Sequence, residues 1–339
     1  MSRLPVIVTG GAGYIGCHCC KALYHQGFYP ITYDNLSSGH SYAVQWGPLV
    51  VGDILDKEKL HQLFSTYRPI AVIHFAALAI VSESMIAPEK YYKNNLAGTL
   101  SLLEAMHEFG IKNFLFSSTC ATYGNPQFLP ITEEHPQDPI NPYGKSKWMI
   151  EHIIKDYATI HQLRYGILRY FNAAGADPSG GIGENHHNET HLIPKLIEAS
   201  LQLTPNVPIY GTDFPTRDGS AIRDYIHVED LANAHVLTLQ YLLETKHNLT
   251  LNLGTGQGFS VLEIIKALET LLKQKIPVEN KEKRAGDPPV LVADNTKVKQ
   301  ILQWEPKISS LDTILLSAWN WHNVLKKNRV INEESITLV

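Results

Sequence analysis

Pro5-Val6-Ile7-Val8-Thr9-Gly10-Gly11-Ala12-Gly13-Tyr14-Ile15-Gly16 is an apolar run that passes directly into glycines at 10, 13 and 16. Pro5 to Thr9 reads as a strand buried on both faces, and the residues after Gly13 as a helix running to about Gln26. Strand, glycine turn and helix in that order form the context a dinucleotide-binding fingerprint requires. The spacing is G-x-x-G-x-x-G rather than the commoner G-x-G-x-x-G, but each glycine still has a physical task. One permits the tight turn, one lets the backbone approach a pyrophosphate, and one allows close helix packing. Phosphates would rest on the helix N-terminus, where free N–H groups and the dipole favour anions.

The pattern outward from this turn is regular. Pro30 to Asp34, Leu49 to Gly52, Ala71 to Phe75, Asn113 to Ser117 and Arg164 to Leu168 read as further strands. Helical periodicity separates them at Lys57 to Tyr67, Glu89 to Phe109 and Tyr143 to His161. Alternation of this kind predicts an α/β fold with a doubly wound, Rossmann-type parallel sheet. Asp34 closes the second strand, where a carboxylate can hold both ribose hydroxyls of NAD and would repel the 2′-phosphate of NADP. Asp53, after the third strand, is placed to meet the adenine edge, and Phe75, Ala76 and Ala77 to line the dinucleotide. The expected cofactor is NAD.

After Asn172 the pattern loosens. Gly175 to Asn188 is rich in Gly, Asp, Asn and His, as suits a loop over a cleft. A helix over Leu192 to Leu203 and a strand over Val207 to Tyr210 follow. Leu249 to Leu253 reads as one more strand of the main sheet, and Ser260-x-x-Glu263 as a capping box for a helix to about Leu272. Short helices near Thr296 and Leu311 and an unanchored tail after Arg329 complete the chain. The expected division is a cofactor domain over 1–174 and a smaller substrate-binding lobe over 175–339, with a stretch near 225–263 returning to the first.

The 339 residues are 44% hydrophobic and 18% charged, as in an ordinary globular protein, and the net charge of -4 argues against nucleic acid or an anionic membrane as partner. No apolar run reaches the length of a membrane span, and no signal peptide precedes the first strand, so a cytoplasmic location is expected. Cys17, Cys19, Cys20 and Cys120 match no zinc spacing and read as buried, reduced thiols. No metal is expected.

Asn141-Pro142-Tyr143-Gly144-Lys145-Ser146-Lys147 carries the chemistry. Asn141 is a good N-cap and Pro142 suits the first helical position, so Tyr143 and Lys147 fall one turn apart on one face. Bringing a phenol from about pH 10 to about pH 7 takes roughly 4 kcal/mol. A cation about 5 Å away at an effective dielectric near 20 supplies roughly 3 kcal/mol. A second positive charge, such as an oxidised nicotinamide, would cover the rest, so the pair reads as a base and its activating cation.

Taken together, TGGAGYIG, YDNLS, GDI, VIHFAA, YYKNN, FSSTCATYG, PYGKSK, LRYFNAAGA, GSAIRDYIHVEDLA, LNLGTG and RAGDPP resemble the extended short-chain dehydrogenase/reductase family, and within it the enzymes that act on UDP-hexoses. The resemblance implies reversible inversion at sugar C4 through transient hydride transfer to tightly held NAD and a 4-keto sugar. It gives Tyr143 the role of base, Lys147 that of the cation that also holds the nicotinamide ribose, and Thr119 that of the hydroxyl beside the reacting oxygen. On the cofactor side it implies Gly10, Gly13, Tyr14, Ile15, Gly16, Asp34, Asn35, Asp53, Ile54, Asn94, Ser117 and Tyr170. On the substrate side it implies Asn172, His191, Leu192, Tyr210, Arg223, Tyr225, Arg284, Asp287 and Leu291, the two guanidiniums suiting a UDP pyrophosphate. It also implies a homodimer through the helices of Glu89–Phe109 and Tyr143–His161, with Leu96, Leu100, Leu103, Ile150, Ile153, Ile154 and Tyr157 as apolar faces.

Three positions depart from the family pattern: Ala79 where a lysine is common, His191 where an asparagine is frequent, and Leu291 where some relatives carry tyrosine beside the sugar. A nucleotide-sugar 4,6-dehydratase is the nearest rival, but it needs an acidic pair after the hydroxyl residue, and here Cys120 and Ala121 follow Thr119. A non-catalytic NAD-sensing protein on the same fold would need neither Tyr143 and Lys147 nor two pyrophosphate arginines.

Overall fold

A computed structural model describes residues 3–284 and 287–337. The first half runs β1 (Leu4–Thr9), α1 (Tyr14–His25), β2 (Phe28–Asp34), β3 (Leu49–Val51), α2 (Lys57–Tyr67), β4 (Ala71–His74), the single turns α3 (Val81–Ser84) and α4 (Pro88–Tyr91), α5 (Gly98–Glu108), β5 (Asn113–Thr119), α6 (Pro142–His161) and β6 (Arg164–Tyr170). Then come β7 (Asn172–Ala174), α7 (Leu192–Ser200), β8 (Val207–Tyr210), β9 (Ile222–His227), α8 (Val228–Thr245), β10 (Leu249–Leu253), β11 (Gly258–Ser260), α9 (Val261–Leu272), β12 (Val278–Lys281), β13 (Val290–Leu291), α10 (Thr296–Leu302) and α11 (Leu311–Thr337).

Seven parallel strands form the main sheet in the order β10-β6-β5-β4-β1-β2-β3. Alternation along β1 feeds both of its faces. Ile7 packs with Leu60, Phe64, Leu102, Ile150 and Ile154 of α2, α5 and α6. Val6 and Val8 face the other way, onto Cys19 and Leu23 of α1 and Val236, Leu239 and Leu242 of α8. Because both faces are covered, the strands read as continuous apolar runs rather than alternating ones. The order reverses between β1 and β4, and that switch point opens the crevice in which such sheets bind ligands.

A second layer holds β11-β9-β13 with β7 beside β9, and a separate ribbon pairs β8 with β12. Its core is made by Ile193, Leu196 and Ile197 of α7, Ile264 and Leu268 of α9, and Ile314 and Leu315 of α11. Ser260 and Glu263 form the expected capping box at the start of α9. Two expectations fail. The helix near Leu311 is not short, since α11 spans 27 residues, and the segment after Arg329 continues it as far as Thr337. Strand β9 and helix α8 are additions; α8 opens with Glu229 and Asp230 in its first turn, where acids favour the dipole.

The helix expected over Glu89–Phe109 is present but changes pitch. Between α4 and α5, residues Tyr92–Ala97 form a wide π-helical turn. Of the apolar face foreseen on α5 and α6, Leu103, Ile150 and Ile154 are buried in the sheet's own core, while Leu96, Ile153 and Tyr157 pack at its margin.

A charged pair lies under the middle of the molecule. Arg169 on β6 donates through Nε and Nη2 to the two carboxylate oxygens of Glu151 on α6, at 2.9 and 2.6 Å, and both side chains are fully enclosed. Ser118 Oγ donates to Glu151 at 2.6 Å, and Arg169 Nη1 to the Tyr123 hydroxyl at 2.9 Å. Tyr123 passes the chain on to Asn252 of β10 at 2.6 Å. Burial alone would raise the Glu151 carboxyl, but the fork of Arg169 outweighs it and holds the carboxyl below its usual range. Removing one partner leaves a buried unpaired charge, at a cost of about 3–5 kcal/mol. Glu151→Leu is therefore expected to lose about that much in urea unfolding, while Glu151→Leu/Arg169→Met recovers most of it. A double variant as unstable as the single one would show that the network is not the source.

Candidate active site

The turn after β1 leaves no space for side chains where it must bring backbones together. Gly10 has a positive φ of 70°, and a Cβ there would lie 2.6 Å from the backbone nitrogen of Ala76. At Gly16 a Cβ would fall 2.1 Å from the Gly10 carbonyl, so α1 could not dock. Gly13 caps α1 without any side chain, which leaves the first-turn N–H groups facing the cleft. Asp34 at the end of β2 accepts from the amides of Ala12 at 3.0 Å and Leu36 at 2.8 Å. Burial raises its pKa, and those two bonds oppose the rise.

One cleft is lined by Gly10, Gly13, Tyr14, Ile15, Gly16, Asp34, Asn35, Ile54, Phe75, Ala76, Ala77, Asn94, Ser117, Tyr143, Lys147 and Tyr170. The expected cofactor residues thus converge, with Asp53 one step behind, accepting from Asn35 Nδ2 at 2.8 Å. Ser37, Ser38, His40, Tyr42, Asn185 and His186 also line it and were not foreseen as site residues, and Ala79 lines it where relatives carry lysine. A glycine cradle, a capless helix N-terminus and a fixed carboxylate are the donor set that a dinucleotide with two ribose hydroxyls requires.

At the inner end, Asn141 Oδ1 accepts from Gly144 N at 2.8 Å and starts α6 with Pro142 in its first turn. The Thr119 side chain is near enough to Tyr143 to help lower its phenol, and Tyr143 meets Tyr91 edge-on, with ring centroids 6.5 Å apart. Lys147 Nζ donates to the Ser117 carbonyl at 2.8 Å and lies 4.8 Å from the centre of the Phe116 ring. The foreseen lowering of the phenol by Lys147 is not what the protein alone produces. Burial pushes Tyr143 up to about 12, against the Thr119 side chain, and burial pulls Lys147 down to about 7 in spite of the Glu151 charge. Desolvation outweighs the Coulomb attraction because both groups leave water together. A further positive charge beside the phenol is needed to make it a base near neutral pH.

The substrate-side residues form a second group. Arg223 on β9 is ion-paired with Asp287, and the Arg284 guanidinium stacks 3.8 Å from the centre of the Tyr210 ring. Asn172 and Tyr225 are register partners across β7 and β9, with Tyr225 buried in the second core. Leu192 packs its side chain on that core and opens α7, so its contribution to a ligand would be the first-turn N–H. Leu291 pairs with Arg223 in the β13–β9 register and shares a buried cluster with Cys120, Tyr123, Ile131 and Phe171. His191 stands apart from this group: it lines the cofactor cleft and is bonded to Glu184.

Two positioning groups were missed. Asn95, in the π turn, accepts from Leu78 N at 2.8 Å and donates to Leu78 O at 3.0 Å and Ser146 Oγ at 3.2 Å, tying the cleft wall to α6. Glu151 lies four residues beyond Lys147, and a carboxylate at that spacing was the available signal.

This geometry is that of a nucleotide-dependent enzyme with a tyrosine–lysine pair, and the chain belongs to the NAD dependent epimerase/dehydratase family, whose description matches residues 6–254. It is similar to the UDP-glucose 4-epimerase of Rhizobium meliloti (strain 1021), at 50% identity over 95% of this chain and 98% of the relative. Among solved structures it resembles UDP-glucose 4-epimerase from Brucella ovis in complex with NAD, at TM-score 0.91 and 50% identity over 94% of this chain and 98% of the other. It also resembles the Stenotrophomonas maltophila enzyme with bound NAD and formylated UDP-arabinopyranose, at TM-score 0.93 and 37% identity over 96% and 100% of the two chains.

The depressed lysine makes a stability prediction. The folded chain releases the Lys147 proton near pH 7 and the unfolded chain near 10.4, so the unfolded chain binds more protons between those values and stability rises with pH across that window. Lys147→Met removes a charge that folding disfavours. It is expected to stabilise the cofactor-free protein at pH 7 by an amount on the order of 1 kcal/mol or more, and to flatten the rise. Thermal unfolding from pH 7 to 10 reads both effects; an unchanged slope in the variant would refute the assignment.

Proposed function

We propose that the protein is a UDP-hexose 4-epimerase that interconverts UDP-glucose and UDP-galactose with tightly held NAD. The observation that carries this reading is the convergence of Tyr143, Lys147 and Thr119 at the inner end of the cleft that Gly10, Gly13 and Asp34 begin. Asp34 holds the adenosine ribose, the first turn of α1 the pyrophosphate, and Asn94 and Lys147 the nicotinamide half. When bound, NAD supplies reversible hydride acceptance at sugar C4 and a positive charge near the phenol. Tyr143 takes the proton from the 4-hydroxyl and later returns it, and Thr119 orients that oxygen. Arg223 and Arg284 hold the UDP phosphates and Asp287 the uridine ribose, while Asn172 and the Leu192 amide steady the sugar side. Residues 1–174 serve mainly the cofactor and 175–339 mainly the sugar nucleotide, with β10 lent to the first. Elimination is disfavoured because the thiol after Thr119 is no proton donor of the right strength: burial pushes Cys120 up to about 12.

Two finer points belong to the same reading. The chain works as a homodimer through the outer faces of α5 and α6, where Leu96, Leu100, Ile153 and Tyr157 remain partly uncovered. No helix among the described residues is long and apolar enough to cross a membrane, and a cytoplasmic setting suits the nucleotide-sugar substrate.

Incubation with UDP-galactose, without added NAD, should yield UDP-glucose. Tyr143→Phe should retain fold and cofactor but lose roughly 100-fold or more in turnover. Near-normal turnover of that variant would overturn the base assignment.

Leu291 bears on substrate range. It shares a buried cluster with Cys120, the residue after Thr119, and has no hydroxyl to leave unpaired beside an acetyl methyl. UDP-N-acetylglucosamine and UDP-N-acetylgalactosamine are therefore expected to be accepted too. Leu291→Tyr adds bulk worth about 1–3 kcal/mol, so kcat/KM for acetylated over plain sugars should fall roughly tenfold to a hundredfold. An unchanged ratio would remove Leu291 as the gate.

A further inference from the structure

We propose that Glu184, His186, Glu189 and His191 form a binding site for one divalent transition-metal ion of the zinc class, at the lip of the cofactor cleft. The four side chains belong to the loop between β7 and α7 and to the cap of α7. Each offers one ligand atom, and those four atoms lie within 4.8 Å of one another. His186 Nδ1 is 3.3 Å from Glu184 Oε1 and 3.4 Å from Glu189 Oε2, and His191 Nδ1 is 3.8 Å from Glu189 Oε1. A tetrahedral ion with bonds of about 2.0–2.2 Å needs ligand separations of roughly 3.3–3.6 Å. The two edges from His186, to Glu184 Oε1 and to Glu189 Oε2, already match that, and the tighter contact of His191 with Glu184 must open to admit the ion.

The donors also fit in kind. Two imidazoles and two carboxylates suit borderline ions such as Zn²⁺ and Co²⁺, whereas Mg²⁺ and Ca²⁺ prefer oxygen alone. With both rings neutral the set carries two negative charges, which a divalent ion cancels. The carboxylates are not an ordinary solvated patch: the Glu184 and Glu189 side chains are 5% and 6% exposed, while His191 at 55% leaves an entry path. Metal and protons compete for the same ring nitrogens.

The surroundings hold the loop ready. Trp321 Nε1 donates to the Glu184 carbonyl at 2.8 Å, and Asn185 Nδ2 donates to the Tyr42 hydroxyl at 2.9 Å. Glu189 Oε1 accepts from the amides of Thr190 and His191, both at 2.7 Å, leaving Oε2 for the ion. A bound ion would fasten this loop onto the start of α7 and fix two cleft-lining rings, His186 and His191. It would take no part in proton transfer at Tyr143, and the inference does not depend on the proposed reaction.

The test uses untagged, cofactor-containing protein stripped with a chelator and titrated with Co²⁺, then Zn²⁺. One Co²⁺ per chain is expected, with the strong visible absorption of four-coordinate cobalt, displaced by one equivalent of Zn²⁺ and accompanied by a rise in Tm. His186→Gln should weaken Co²⁺ binding roughly tenfold or more and change the spectrum, as should Glu189→Gln. His187→Asn, on the same loop but outside the cluster, should leave both unaltered. Weak six-coordinate absorption, binding that survives both ligand variants, or equal loss in His187→Asn would each overturn the site.

Discussion

Glu151 and Arg169 meet with both side chains almost wholly out of solvent, and the cleft end of β5 is built on top of them. Ser118 is bonded to Glu151 and lies between Ser117, whose carbonyl holds Lys147, and Thr119, which lies near Tyr143. The same carboxylate belongs to α6, the helix that carries Tyr143 and Lys147. One ion pair thus fixes the depth of β5 relative to α6, and with it the height of tyrosine and lysine over the cleft floor. Through Tyr123 and Asn252 the constraint reaches β10, the strand contributed by the second half of the chain. An apolar replacement of equal volume could support the fold. It could not supply the hydrogen bond that holds Ser118 in place.

Above this pair, burial sets the chemistry. A half-buried phenol and an enclosed ammonium are each pushed by desolvation towards their neutral forms. On the proposed function, a positively charged ligand beside the phenol would be what lowers it, so base strength would follow cofactor occupancy.

The cofactor half was legible because its strands are covered on both faces and two of its helices begin with recognisable caps: Asp56 before α2 and Asn141 before α6 cap as their types suggest. The clustering of the expected cofactor residues follows from that topology, since most lie at or just beyond a strand end on the same edge, while Asn94, Tyr143 and Lys147 are brought to it by helical segments. Other features were hidden for physical reasons. Strands β7 and β13 have three and two residues, too few to show a period. The direction of the Tyr143 and Lys147 shifts depends on burial, which sequence spacing does not report. Glu184, His186, Glu189 and His191 lie in a loop, where no helical or strand period announces that four side chains converge. His191 was expected on the substrate side for its family position, and its partner Glu184 gave no sign of the contact.

The π turn at Tyr92–Ala97 has a consequence for how this helix could change over time. A π turn is an α-helix carrying one surplus residue, and on a 3.6-residue period one residue amounts to about 100° of rotation. Downstream of it, α5 is in phase with the sheet; upstream, Tyr91 is in phase with Tyr143. Asn94 and Asn95, inside the turn, face the cleft and the catalytic helix because the surplus falls there. Substitutions along the segment can be absorbed one at a time, but loss of a single codon would swing one end of the helix away from its partners. The segment should therefore hold constant length across lineages even where its residues drift.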